Sequence, residues 1–426
     1  MKGFMVLLLL AAPAAAQQAP IDAALAAHYF AEANQLAERD AGRLWGKPLS
    51  SPLIFADPRT RAAVASKPDV EGRLDQQGGV WVGALPDNIT VANTALDWSG
   101  THWTMVRWPL PENRYARQRL LAHEMFHHLQ PALGLPASDV ANSHLAMGEG
   151  RILMRLEWRA LADALMRTGE PRRNAIADAL LFRAKRRQLY PHAASEEQKL
   201  ELNEGLAEYT GFKLSGWPDA VLPDRAAVQL NNYEAMDNFA RSFAYASGPA
   251  YGLLLDAAGA PWRKQLTQDS DLGELTQAAY RITPRDTAQL AQRIAFYAAE
   301  RMVREERQRA EHFATMQREL RAKLVDGPTL ALPVGAQFSY GFDPNGAIPL
   351  EGIGTVYQSV RVTDEWGVLE VESGGALLLR NDRGIIGVRV PAPTDELNPL
   401  KGNGWKLTLN PGWSVAVAGT GYRVTR

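Results

Sequence analysis

A chain of 426 residues with 46 basic and 47 acidic side chains, a formal net charge of −1 and 46% hydrophobic residues is long enough for two or three folded domains. It has no basic excess to mark it for nucleic acid, and no basic run beside an apolar face to hold it on a membrane surface. Cysteine is absent, which excludes disulfides, cysteine-ligated metal and lipidation of an N-terminal cysteine.

Lys2, an apolar run over residues 4–12 and then Ala14-Ala15-Ala16 before Gln17 follow the order of a secretory signal peptide, with cleavage expected after Ala16. The run is shorter than the roughly 20 residues a membrane span needs. The expected mature protein is therefore periplasmic or secreted and carries no membrane anchor. Residues 17–326 and 327–426 are expected to form two domains after the leader at 1–16. A helix is predicted over 21–45, and strands over 52–57, 80–85 and 89–109, the last folded back at Ser99-Gly100. Trp98, Trp103 and Trp108 fall in that last stretch. Packing suits at least two of them; the floor of a substrate groove is the other use for such a strand.

The next predicted element, a helix over 117–130, has apolar Leu120, Leu121, Met125, Phe126 and Leu129 and stops at Pro131. It carries His123-Glu124-Met125-Phe126-His127. Residues four apart share a helix face, so His123 and His127 can hold one zinc ion, with Glu124 beside them as general base. A buried helix whose histidines merely satisfy hydrogen bonds is the ordinary alternative. His128 lies about 100° around the helix from His127 and is not expected to join the ion. His144 and His192 have no partner pattern and are expected to be structural or surface residues.

A catalytic zinc site wants a third protein ligand. Residues 111–257 are predicted mainly helical, with helices over 151–167 and 173–190, and then comes Asn203-Glu204-Gly205-Leu206-Ala207-Glu208-Tyr209. Glu204 and Glu208 share a helix face. One can bind the ion while the other accepts a hydrogen bond from a ligand histidine, and Gly205 permits a close helix contact. An exposed acidic face is the ordinary reading, given Glu196, Glu197 and Glu201 just upstream.

Together the two strings resemble the gluzincins, zinc metallopeptidases that use two histidines and one glutamate, and in particular their aminopeptidase branch. The resemblance covers about a third of the chain, ending near Asp256. It implies Zn²⁺ held by His123, His127 and Glu204, a small sheet ahead of the metal helix, and a peptide or protein substrate. It also implies an oxyanion donor downstream, where Tyr245 takes the matching place and Tyr251 is a weaker second choice. The spacing departs from the family: Glu204 lies much farther from His127 than usual, and Glu149 lies at the familiar distance, so Glu149 stands as the alternative third ligand.

Residues 286–324 are predicted helical, with one solvated face over 301–321. Composition changes at 325–328. Short β-rich runs follow at 356–362, 367–371, 376–379, 385–390, 405–409 and 413–418, separated by turns such as Asp343-Pro344-Asn345-Gly346. They predict a small β-sandwich or barrel. The expected fold is α+β: a mainly helical zincin-like domain preceded by a small sheet, then an all-β domain. The expected activity is zinc-dependent peptide hydrolysis. A metallohydrolase of a non-peptide substrate and a catalytically idle, zinc-stabilised binding protein are the rivals.

Overall fold

Asp22 starts the first helix, Ala23–Asp40, by accepting the backbone N–H groups of Ala24 and Leu25. The computed structural model describes residues 21–426 apart from positions 136, 139, 141, 147, 237, 299, 343–346, 396 and 397. The expected leader and the expected turn at 343–346 lie outside the described residues. From Ala23–Asp40, Phe30 stacks on Phe55 of a six-stranded sheet with ring centroids 4.3 Å apart. The order across that sheet is Asp75–Gln77, Val80–Ala84, Ala62–Ala65, Leu53–Ala56, Thr101–Arg107 and Thr94–Trp98. Thr94–Trp98 is an edge. Trp98 and Trp103 are buried in the small core on this sheet, and Trp108 packs on Tyr29 and Phe55, so all three tryptophans are packing residues.

The helix Arg114–Leu129 begins where the Asn113 side chain accepts the Ala116 N–H and gives way to a short 3₁₀ turn containing Pro131. It is buried at six consecutive positions, Leu121 to Phe126, because it is enclosed by the sheet on one side and the helix Leu206–Leu214 on the other. The two helices expected between motif and glutamate string are present as Gly148–Met166 and Gly169–Leu189.

Those two helices enclose a buried ionic cluster. Glu197 accepts hydrogen bonds from Arg186 Nε at 2.6 Å, Arg187 Nε at 2.9 Å and His144 Nε2 at 2.8 Å. Burial alone would raise the Glu197 carboxyl, but Arg186 and His144 outweigh it and hold it well below its ordinary value of 4.5. A carboxyl depressed in the folded state contributes stability above its unfolded pKa and loses it as pH falls. Melting temperature is therefore expected to drop steeply below about pH 4.5. Glu197→Gln should flatten that drop and cost about 3–5 kcal/mol at neutral pH, since it removes a carboxylate shared by Arg186 and Arg187 and leaves the buried Arg186 with Glu157 as its remaining anionic partner. Thermal denaturation of both proteins from pH 3 to 7 checks this; superimposable curves would refute it.

The long helix Glu300–Arg321 buries Met302, Glu306, Phe313 and Leu320 and turns most of its other residues outward. After it come two sheets. The seven-stranded one contains Thr329–Leu332, Gly354–Tyr357, Ala376–Asn381 and Gly384–Pro391; the five-stranded one runs from Leu400–Gly402 to an edge at Ser339–Phe342. Both contribute to one core around Trp366, Leu369, Leu378, Val388 and Leu407. The run at 356–362, predicted as one strand, is two: Gly354–Tyr357 lies in one sheet and Val360–Asp364 in the other, so the chain changes layers at Gln358-Ser359. The molecule is thus α+β, with a helical middle and a β-rich C-terminal region. Among the described residues no helix is long and apolar enough to cross a membrane.

Candidate metal centre

Three atoms converge where the helix Arg114–Leu129 meets the turn before Leu206–Leu214. His123 Nε2 and His127 Nε2 are 3.1 Å apart, and each is 3.4 Å from Glu204 Oε2. A tetrahedral ion with bonds of about 2.0–2.1 Å keeps neighbouring donor atoms roughly 3.3 Å apart. The triangle has that size, so this group can hold a metal ion.

The hydrogen bonds behind the histidines say the same. His123 Nδ1 lies 2.8 Å from Glu208 Oε2, which can only accept, so this nitrogen carries the proton. His127 Nδ1 lies 3.0 Å from Gln130 Oε1, and the Gln130 amide is oriented because its Nε2 donates to Asn203 Oδ1 at 3.0 Å. Asn203 in turn donates to Ser138 O at 3.1 Å. With both Nδ1 atoms donating, both Nε2 lone pairs point into one space, which a cation between them would satisfy. In the protein alone, burial disfavours a charged His123, but hydrogen bonds to Glu204 and Glu208 outweigh it and push its pKa up to about 10. Surroundings that favour a proton there favour a metal cation for the same electrostatic reason.

Glu204 sits in a π-helical turn, Glu201–Gly205, in which the Leu206 N–H reaches back to the Glu201 carbonyl. Gly205 lies against Gly248 of the helix Phe243–Ala257, with its would-be Cβ 3.2 Å from Gly248 Cα. That close approach delivers Tyr245, whose hydroxyl donates to Glu204 Oε2 at 2.6 Å and whose ring stacks on His123. Arg241 Nη2 donates to Glu204 Oε1 at 3.1 Å. Burial would raise the Glu204 carboxyl, but the two histidines hold it well below its ordinary value.

A second chain of bonds steadies Glu208. Pro249 has no N–H, so the Tyr245 carbonyl four residues earlier has no helical partner and accepts Gln229 Nε2 at 2.6 Å. Gln229 Oε1 accepts from Arg119, and Arg119 Nε donates to Glu208 Oε1 at 2.7 Å. Burial opposes ionisation of Glu208, but Arg119 and His123 overcome it and bring its pKa down to about 2. Glu124 is different: it lines the cavity without a hydrogen-bond partner among the described residues, and burial raises its carboxyl above the ordinary value.

The structure therefore brings His123, Glu124, His127, Glu204, Glu208 and Tyr245 to one place, on a cavity of 810 Å³. Glu149 is elsewhere, in the first turn of Gly148–Met166 near Tyr190. Tyr251 donates to Glu157 in the ionic cluster, His144 serves Glu197 there, and His128 faces His102. Sequence reasoning missed Arg119, Gln130, Asn203, Gln229 and Arg241. Two of these had a signal, since Arg119 is four residues before His123 and Gln130 three after His127, on the same helix faces. Comparison of the chain with protein-family models, with curated proteins and with solved structures finds no match.

Proposed function

We propose that the chain is a zinc-dependent hydrolase of the gluzincin kind, acting on peptide bonds. The observation that carries this reading is the convergence of two imidazole lone pairs and a carboxylate oxygen on an open cavity beside Glu124, a glutamate with no hydrogen-bond partner among the described residues. Zinc at that point would supply Lewis acidity, polarising a carbonyl and acidifying a water molecule.

The chain's own groups divide the remaining tasks. Glu124 takes a proton from the attacking water on a carboxylate oxygen and hands it to the leaving amine nitrogen. Tyr245 keeps its one proton, because burial and the nearby Glu204 hold its phenol well above the ordinary value; by turning that hydroxyl from Glu204 it can donate to the carbonyl oxygen as charge develops there. Glu208 fixes the tautomer and ring orientation of His123, and Gln130 does so for His127. Arg241 and Tyr245 hold the Glu204 carboxylate from either oxygen.

The test is metal analysis of the purified protein with a peptide-library digest before and after chelation. One zinc per chain is expected, with cleavage that disappears on chelation and returns with zinc. Zinc-loaded protein that cuts no member of the library would remove the peptidase reading.

A further inference from the structure

The strand Thr101–Arg107 runs past its neighbour at the edge of the six-stranded sheet. Thr94, the first residue of the edge strand, is paired with Met105, so no strand residue is paired with Arg107 on that side. Asn93 takes up the Arg107 N–H instead, its side-chain oxygen accepting at 2.9 Å. On the other side Arg107 pairs with Ala56, whose carbonyl accepts the Trp108 N–H at 2.8 Å. The backbone that carries the Arg107 side chain is thus held from both sides. Alternate residues of a strand share a face, so Arg107 continues the row of Trp103 and Met105. Those two are buried, while Arg107 emerges exposed on the wall of the cavity that His123, His127 and Glu204 also line.

Three arginines line this cavity, and two of them are engaged. Arg119 donates to Glu208 and Gln229, and its guanidinium covers the Phe212 ring at 4.4 Å. Arg241 donates to Glu204 and faces the Phe342 ring at 5.7 Å. The Arg107 guanidinium has neither a hydrogen bond nor an ion pair among the described residues. Glu204 and Glu208 are each beside an arginine already, so the acids of the wall do not offset it, and a divalent ion at the triad would add to the positive balance. The strand Ser339–Phe342 supplies another part of the wall, fastened by Gly341 against Thr90 and by Arg361 Nη2, which donates to Asp87 O at 2.7 Å. A group bound between these walls gives up part of its water, which strengthens a contact between opposite charges.

We propose that Arg107 is a carboxylate-binding subsite of this cavity, holding an aspartate or glutamate side chain or the free C-terminal carboxylate of the bound peptide. A guanidinium and a carboxylate match as two parallel N–H···O bonds, which fixes direction as well as charge. A basic group brought to the same place meets repulsion, so the subsite selects against it. The proposal rests on the hydrolase reading for what becomes of the bound chain, and its test separates the two.

Full-length zinc-loaded protein is assayed on a randomised peptide library prepared with free and with amidated C-termini. Members that place a carboxylate at the subsite are expected to be cut about tenfold better in kcat/KM than their amide counterparts, the scale of one charge-assisted bond on a partly open wall. Preference for Asp and Glu over Asn and Gln at one position identifies a side chain as the source. Loss on amidation identifies the C-terminus. Arg107→Gln is expected to erase the preference, Arg107→Lys to keep part of it, and Arg107→Glu to turn it towards basic members. The Arg107 side chain makes no bond in the folded protein, so zinc content and melting temperature are expected to stay at wild-type values. Should a variant fail to fold, raising salt from about 0.05 to 0.5 M is expected to shrink the preference in the wild type. Binding of labelled peptides with carboxylate or amide is measured in parallel in zinc-loaded Glu124→Gln, with and without Arg107→Gln. No preference in the wild type, or one unmoved by Arg107→Gln, overturns the subsite and leaves the hydrolase standing. Arg107-dependent binding of the carboxylate peptide, with no library member cut by the wild type, keeps the subsite and overturns the peptidase reading. Neither binding nor cleavage overturns both.

Discussion

Glu204→Ala is expected to lose its metal under conditions in which the wild type retains it. The substitution removes one of three converging donor atoms and leaves two imidazoles. It also removes the only anionic member of the triad, so two neutral histidines would face the whole charge of a divalent ion in a buried site. Glu208→Ala makes a sharper comparison than a distant control. Glu208 touches His123 at Nδ1, on the far side of the ring from the triad, so its loss frees the tautomer without deleting a donor to the ion. Such losses typically weaken metal affinity by about 10–100-fold. Glu149→Ala is expected to bind like the wild type, since Glu149 lies outside the group. Direct titration with zinc ranks the three. Loss of metal from Glu149→Ala with retention by Glu204→Ala would require the centre to be rebuilt around the other glutamate.

Glu124→Gln is expected to keep its zinc and lose at least about 10²-fold in turnover, close to 2.7 kcal/mol in the barrier. The amide has nearly the carboxylate's shape and fills the same space on the cavity wall, so packing is preserved while the proton acceptor is lost. Glu124 is adjacent to a member of the triad in sequence but not part of it, and it makes no hydrogen bond among the described residues that the substitution would break. Zinc stoichiometry, melting temperature and kcat measured on one preparation decide the matter. Near-normal turnover at full zinc occupancy would remove Glu124 from the proposed role and direct the search to another acceptor.

Local pattern alone determined a good deal here. His123 and His127 are neighbours on a face because a helix repeats every 3.6 residues, and Pro131 fixes where that helix gives way. Ser99-Gly100 turned the chain because two residues in the left-handed region suit a hairpin. The helices Gly148–Met166 and Gly169–Leu189 followed from their apolar spacing, and the change at 325–328 marked where helices end and strands begin. All of these are properties of neighbouring residues.

Tertiary structure decided everything that depends on residues distant in sequence. Glu204 rather than Glu149 joins the histidines because Gly205 lets the turn bearing it pack against Gly248, and no spacing rule contains that contact. The carbonyl of Tyr245 reaches Gln229, and so Arg119 and Glu208, because Pro249 denies it a helical partner. Strands such as Ala62–Ala65 and Ser339–Phe342 are too short for an alternating pattern to emerge, yet each is held by pairing with a neighbour. Ser339–Phe342 reaches the cavity only because Gly341 and Arg361 dock the C-terminal sheet on the loop before Thr94–Trp98. Periodicity reports which face of an element is apolar; which faces meet is set by how the whole chain packs, and the group that could hold a metal ion lies where several of them do.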